Sequence, residues 1–213
     1  MNMDLLLKVV IVVVISYLCG SFPTGYLIAR LRGVNIFEIG SGNMGATNVI
    51  RIMGLAWGLC VWFLDSAKAI IAVLIALRIM PEAPAQATVL AAIFAIIGHN
   101  WSAWIALLTG RIRGGKGAAT AFGALLMIVP LQVIAVMLVI GGLIIAVTRY
   151  VSLAVLLMFG LATVWMILLF VNGAVPVEYL IFSLVLAALL VFRFRENIKR
   201  LMAGTERRLG ETT

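Results

Sequence analysis

The chain has 213 residues, 64% of them hydrophobic and 11% charged, and a formal net charge of +8. So apolar a composition excludes an ordinary soluble domain and makes the bilayer the surroundings of the fold. It also argues against a nucleic-acid binder, because the basic residues stand in short stretches between apolar runs and not on one soluble face.

In chain order, the first apolar run covers about residues 5–29. It outlasts the apolar core of a signal peptide and has no convincing cleavage site, so it reads as a membrane helix. Runs at about 55–78 and 86–109 match the roughly 17 to 25 residues that a crossing needs. The long run at 118–147 is interrupted by Pro130, which suits a helix start, and this splits it into a short helix over 118–129 and another over 130–147. Runs at about 150–171 and 177–192 complete the set. The expected fold is therefore all-α and polytopic, with seven transmembrane helices in a single membrane domain over residues 1–213.

Charge supports the odd number. Seven crossings put residues 30–51, residues 110–117, Arg149 and the C-terminal tail on one side, with 13 of the 16 basic residues. By the positive-inside rule that side is the cytoplasm, so the N-terminus lies outside and the C-terminus inside. The connections at 81–84 and 172–176 bring Glu82 and Glu178 and read as external turns. Trp57, Trp62, Trp101, Trp104 and Tyr150 stand near expected helix ends as interface anchors, and Cys19 and Cys60 read as small core residues.

Three polar stretches are then expected at the cytoplasmic face: 40–51, 98–117 and 193–206. In the first, Gly40, Gly42 and Gly45 let the backbone turn and approach a ligand, while Ser41, Asn43, Thr47, Asn48 and Arg51 supply donors suited to phosphate oxygens. In the second, Gly114, Gly115, Lys116 and Gly117 precede a helix start at Ala118 and would present N–H groups, a cation and a positive helix end to an anion. The spacing is not that of a P-loop NTPase. His99, the only histidine, reads as a hydrogen-bonded structural residue or a substrate contact; without nearby carboxylates or thiolates it does not complete a metal site. Asp65 and Lys68 lie three apart on one helix face, as a structural ion pair or a functional one. No carboxylate pair and no base beside Ser41 suggest acid–base or serine chemistry, so the inventory fits reaction between phosphorylated substrates held by positioning and electrostatics, without cofactor or metal.

These residues form a recognisable series. Residues 40–51 (Gly-Ser-Gly-Asn-Met-Gly-Ala-Thr-Asn-Val-Ile-Arg), 65–68 (Asp-Ser-Ala-Lys), Gly98 with His99, 114–120 (Gly-Gly-Lys-Gly-Ala-Ala-Thr) and 196–206 (Glu-Asn-Ile-Lys-Arg-Leu-Met-Ala-Gly-Thr-Glu) closely resemble, in order, the bacterial acyl-phosphate:glycerol-3-phosphate acyltransferases of the PlsY type. The resemblance implies a seven-helix inner-membrane enzyme that moves a fatty acyl group from acyl phosphate to the sn-1 hydroxyl of glycerol 3-phosphate. Ser41, Arg51, Lys116 and Asn197 would then be catalytic. Gly42, Asn43, Gly45, Thr47, Asn48, His99, Gly114, Gly115, Gly117 and Glu206 would bind substrate. The glycine loop with Lys116 would serve the donor phosphate, and Arg51, Asn197 and Glu206 the glycerol phosphate. The chain departs from the family pattern at Asn100-Trp101-Ser102, where phenylalanine and proline are usual, at Phe194 in place of histidine, and at Ala69 in place of glycine.

Two other functions compete. A transporter of a phosphorylated metabolite would continue its polar lining to the midplane, where only Asp65, Lys68 and His99 are available. A CDP-lipid-dependent transferase would need metal-binding aspartates, and the chain has only Asp4 and Asp65.

Overall fold

In the computed structural model, which describes residues 3–211, the regular elements among the described residues are ten helices. They fall into two compact units, Met1–Ile128 and Val129–Thr213. The first holds α1 (Met3–Ser21), α2 (Thr24–Leu31), α3 (Ala46–Met53), α4 (Leu55–Ile79), α5 (Pro84–Asn100), α6 (Ala103–Thr109) and α7 (Ala118–Leu125). The second holds α8 (Leu131–Thr148), α9 (Val151–Val171) and α10 (Val177–Met202).

Two expected single helices are broken, each for a local reason. The run over 5–29 divides at Phe22 and Pro23, since proline brings no N–H to the α-helical ladder and its ring crowds the preceding turn. The run over 86–109 divides at Trp101 and Ser102. There the Ser102 N–H turns aside to the Arg113 carbonyl (3.0 Å), and Ser102 Oγ accepts the Ile105 N–H (3.1 Å) as the cap of α6. The polar run over 40–51 is only half loop: Gly45 in an extended conformation starts α3, and Gly54 (φ +90°) ends it. Pro130 caps α8 from just outside its first turn. The last helix runs ten residues past the expected end at 192, to Met202, with Lys199 and Arg200 in its final turn, where cations face the negative end of the helix dipole.

Small residues bring the helices of the first unit together. Ala69, Ala72 and Ala76 of α4 and Ala87, Ala91 and Ala95 of α5 are all buried. A Cβ at Gly20 would fall on the backbone of Ala95, and one at Gly98 on the backbone of Tyr17, so α1 and α5 cross at glycine contact. Close backbone approach of this kind is how helices gain packing energy in lipid, where hydrophobicity does not drive them together. Ser66 Oγ donates to the Ala119 carbonyl (2.9 Å) and ties α4 to α7. In the second unit α9 packs on both α8 and α10.

The outward faces are apolar: Phe63 is 66% exposed, Leu143 61% and Val147 83%. Among the described residues five helical segments are long and apolar enough to cross a membrane, with α1 and α2 counted as one. Cys60, expected in the core, is exposed on α4. The expected helix over 118–129 ends at Leu125. Its eight residues rise about 12 Å, against a hydrocarbon core of about 30 Å.

Candidate functional site

The first motif is folded around one side chain. Asn48 is 2% exposed, and its Nδ2 donates to the carbonyls of Asn43 (2.9 Å), Ile39 (3.2 Å) and Ile36 (3.4 Å). Its Oδ1 accepts the Ser41 N–H at 2.8 Å. Gly40 (φ +64°) and Gly42 (φ +62°) flank Ser41 in the left-handed region, which turns the backbone over the amide. Ile36 and Met44, both fully buried, plug the loop into a small core with Tyr26, Val49, Val61 and Ile105. Asn48, a substrate-binding candidate on sequence, thus has its amide committed to the loop. Ser41 is exposed, while Asn43, Gly45, Thr47 and Arg51 are half-buried. Asn43 Oδ1 accepts the Gly45 N–H (2.8 Å), and its Nδ2 reaches the Gly114 carbonyl at 3.5 Å.

That last contact joins the first motif to the glycine-lysine loop, which is itself fastened to the end of α5. The Gly115 N–H donates to the His99 carbonyl at 3.0 Å, beside the Ser102–Arg113 bridge. A Cβ at Gly114 would meet the carbonyls of His99 and Asn100, and one at Gly115 would fall on the His99 ring at Nε2. The glycines are therefore required by packing as well as by any ligand. Gly117 (φ +80°) starts α7, and Lys116 stands half-buried between these glycines.

His99 is 2% exposed and completes a cluster that sequence placed only as a pair. Lys68 Nζ lies 2.8 Å from Asp65 Oδ1, 2.8 Å from His99 Nδ1 and 3.0 Å from the Phe22 carbonyl at the break before Pro23. Lys68 also lines an apolar cleft of about 510 Å³ with Leu18, Phe22, Leu64, Ala67, Ile71 and Trp104. Asn100 is 1% exposed, and its amide has no hydrogen-bond partner among the described residues.

In the second unit the polar centre is Glu206. Its Oε1 accepts from Asn197 Nδ2 (2.7 Å) and Ser152 Oγ (3.0 Å), and its Oε2 pairs with Arg200 Nε (2.9 Å). Asn197 is 5% exposed and the Glu206 side chain 6%. Sequence reasoning named Asn197 and Glu206 but missed Ser152 and Arg200. Only Arg200, three residues beyond Asn197 on the same helix, left a local trace. The tail after α10 is fastened by the Leu209 carbonyl, which accepts from Arg149 Nε (2.9 Å) and Nη2 (2.6 Å).

Hydroxyls, amides, a half-buried lysine and glycine loops at the ends of apolar helices are groups suited to an anion. The sequence profile of the Glycerol-3-phosphate acyltransferase family matches residues 10–204. A glycerol-3-phosphate acyltransferase of Halalkalibacterium halodurans is 40% identical over 208 residues, covering 95% of this chain and 98% of the relative. Glycerol-3-phosphate acyltransferase 2 of Moorella thermoacetica is 41% identical, covering 93% and 96%. Two crystal structures of PlsY (YgiH), an integral membrane glycerol 3-phosphate acyltransferase, superpose at 36% identity. The glycerol 3-phosphate form gives a TM-score of 0.83 over 95% of this chain and 96% of that one. The lysophosphatidic acid form gives 0.80 over 95% of each. The chain belongs to the glycerol-3-phosphate acyltransferase family, as its motifs led one to expect, and is an all-helical, multi-pass integral membrane protein.

Proposed function

We propose that this enzyme transfers a fatty acyl group from acyl phosphate to the sn-1 hydroxyl of glycerol 3-phosphate, giving lysophosphatidic acid and inorganic phosphate at the bacterial inner membrane. Acylation of glycerol 3-phosphate for phospholipid synthesis is its activity as a member of the family. The observation that supports the phosphorylated donor is the fastening of the Gly114–Gly117 loop to the end of α5 and, through Asn43, to the first motif.

Lys116 holds the donor phosphate with Ser41 and those N–H groups of its loop that are not already bonded, the Gly115 N–H being spent on the His99 carbonyl. Arg51 and Asn197 serve the glycerol phosphate. Asn48 and Glu206 act one step back, by shaping the loop around Ser41 and by holding the Asn197 amide. The apolar cleft beside Lys68 takes the acyl chain.

In the reaction the sn-1 oxygen attacks the carbonyl carbon, and the tetrahedral oxyanion collapses with cleavage of the bond to the phosphate oxygen. The hydroxyl proton passes to a phosphate oxygen of the donor, so the protein orients both substrates and stabilises charge. The burial of His99 and its engagement by Lys68 support this reading over one in which His99 is the base. Seven passes, with the N-terminus outside and the short fourth pass running from Ala118 through Val129, keep 13 of 16 basic residues on the cytoplasmic side.

The test is phosphate release by the purified protein supplied with palmitoyl phosphate and glycerol 3-phosphate. Release that needs both substrates, and falls by orders of magnitude in Lys116→Ala and Arg51→Ala, is expected. A protein that binds glycerol 3-phosphate and moves it across vesicles without releasing phosphate is a transporter instead.

A further inference from the structure

A buried ion pair on a membrane helix is costly unless both charges are fully engaged. Asp65 (1% exposed), Lys68 (7%) and His99 (2%) form such a group in the first unit, where α1, α4 and α5 pack on one another. Lys68 is the centre. An ammonium has three hydrogens and no acceptor. The three acceptors around Nζ are the Phe22 carbonyl at 3.0 Å, Asp65 Oδ1 at 2.8 Å and His99 Nδ1 at 2.8 Å. Taken as the ammonium partner of the Asp65 carboxylate, Lys68 directs its three hydrogens to these three acceptors, and Nδ1 of His99 is then the lone-pair nitrogen. The carboxylate does not reach the ring itself: Asp65 Oδ1 is 3.7 Å from Nδ1, beyond hydrogen-bond range.

A ring whose Nδ1 accepts carries its hydrogen on Nε2. That edge faces the glycine-lysine loop, since the position of a Cβ on Gly115 coincides with Nε2 and the ring carbons beside it.

We propose that Asp65 and Lys68 are positioning residues for acyl transfer, because together they fix His99 as the neutral tautomer with its hydrogen on Nε2 and hold that donor edge against the Gly114–Gly117 loop. Asp65 holds Lys68 in place, Lys68 sets the tautomer, and His99 presents a donor, not a base, to the loop at Gly115. The proposal rests on the reading of His99 as a substrate-side residue of this site.

The experiment exploits the single histidine. Intact, tag-free protein labelled with ¹⁵N-histidine gives one pair of ring nitrogens. The expected spectrum has Nε2 protonated and Nδ1 bare across the working pH range. Lys68→Met should mix the tautomers and lower kcat at least tenfold, with KM for glycerol 3-phosphate within about threefold. Lys68→Arg, which keeps a donor, should retain the Nε2–H tautomer and recover part of kcat. A wild-type ring protonated on Nδ1, or on both nitrogens, overturns the proposal, as does Lys68→Met with unchanged tautomer and kcat. Should Lys68→Met fail to fold, the wild-type and Lys68→Arg spectra decide alone. His99→Gln tests the reading beneath: a wild-type rate there removes His99 from the reaction, whatever the spectrum shows.

Discussion

Asn48→Asp is the sharpest single perturbation of the first motif, because it changes two hydrogens and almost no volume. In the native loop Nδ2 serves three carbonyls within 3.4 Å, while Oδ1 accepts the Ser41 N–H. An aspartate at this 2% exposed position has one hydrogen if protonated and none if ionised. At least one carbonyl is then left facing oxygen. A lost buried hydrogen bond costs about 1 kcal/mol net, and a stranded acceptor about 1–3 kcal/mol. The loop's folded arrangement is thus weakened by about 3 kcal/mol, on the order of 100-fold in the ordered population, since 1.4 kcal/mol is a factor of ten. If only the ordered loop is competent, kcat/KM in the phosphate-release assay falls about as far, and proteolysis near residues 36–43 becomes faster. The global unfolding midpoint should move much less, because α3 and α4 pack on apolar contacts. A kcat/KM within threefold of wild type would refute the reasoning. A loss confined to KM for glycerol 3-phosphate, with the loop as protected as before, would instead make Asn48 a direct ligand contact.

Gly115→Ala places a methyl group on a buried ring that Lys68 holds, so kcat should drop at least a hundredfold with the helical circular dichroism signal intact. Gly160→Ala, with nothing near its Cβ and a mid-helix position in α9, is the control, and should be neutral or stabilising by up to about 1 kcal/mol in thermal unfolding. Glu206→Gln keeps one oxygen for Asn197 and Ser152 but turns an NH2 toward Arg200 Nε, a donor facing a donor; kcat/KM should fall tenfold or more, and Glu206→Asp should recover less than half of it. The hydrogen bond from Lys8 holds the exposed Glu82 carboxyl below the usual carboxylate range. A depressed folded-state pKa contributes stability that is present at neutral pH and lost as pH falls through the carboxylate range. The gap in thermal midpoint between wild type and Glu82→Gln should therefore be small at pH 7 and close on acidification, and 1 M salt should close it as well.

The long helices were legible because a bilayer leaves a chain few options: apolar runs bounded by polar residues become helices. The breaks at Pro23 and Trp101 were not anticipated. Pro23 carried a signal in its missing N–H, whereas the second break depends on Arg113, eleven residues beyond Ser102, to receive the diverted N–H. The helix α3 was hidden by polarity. Its apolar residues Ala46, Val49, Ile50 and Met53 follow the i, i+3, i+4, i+7 spacing, yet Thr47, Asn48 and Arg51 between them suggested a loop. The donors of the candidate site could be named from the sequence, whereas the contacts that hold them in place could not. Nothing local announces that Gly115 lies on the ring of His99, or that Ser152 reaches Glu206 across 54 positions of sequence.

That division has a physical cause, which also explains why so many candidate residues hold the protein and so few need hold a ligand. A site for two phosphorylated substrates must present donors and silence acceptors, because a bare carbonyl or carboxylate beside a phosphate dianion repels it in a medium of low dielectric. Four side chains in or beside the candidate set have their acceptors paired. Asn48 Oδ1 takes the Ser41 N–H, Asn43 Oδ1 takes the Gly45 N–H, Asp65 takes Lys68, and both oxygens of Glu206 are occupied by Asn197, Ser152 and Arg200. His99 fits the same pattern once Lys68 occupies its lone pair. Arg51 and Lys116 carry donors only, so they need no such masking. On the proposed reading, specificity for anions is produced as much by pairing the protein's own acceptors as by gathering its cations, and substitutions that unmask an acceptor should harm the enzyme as severely as those that remove a positive charge.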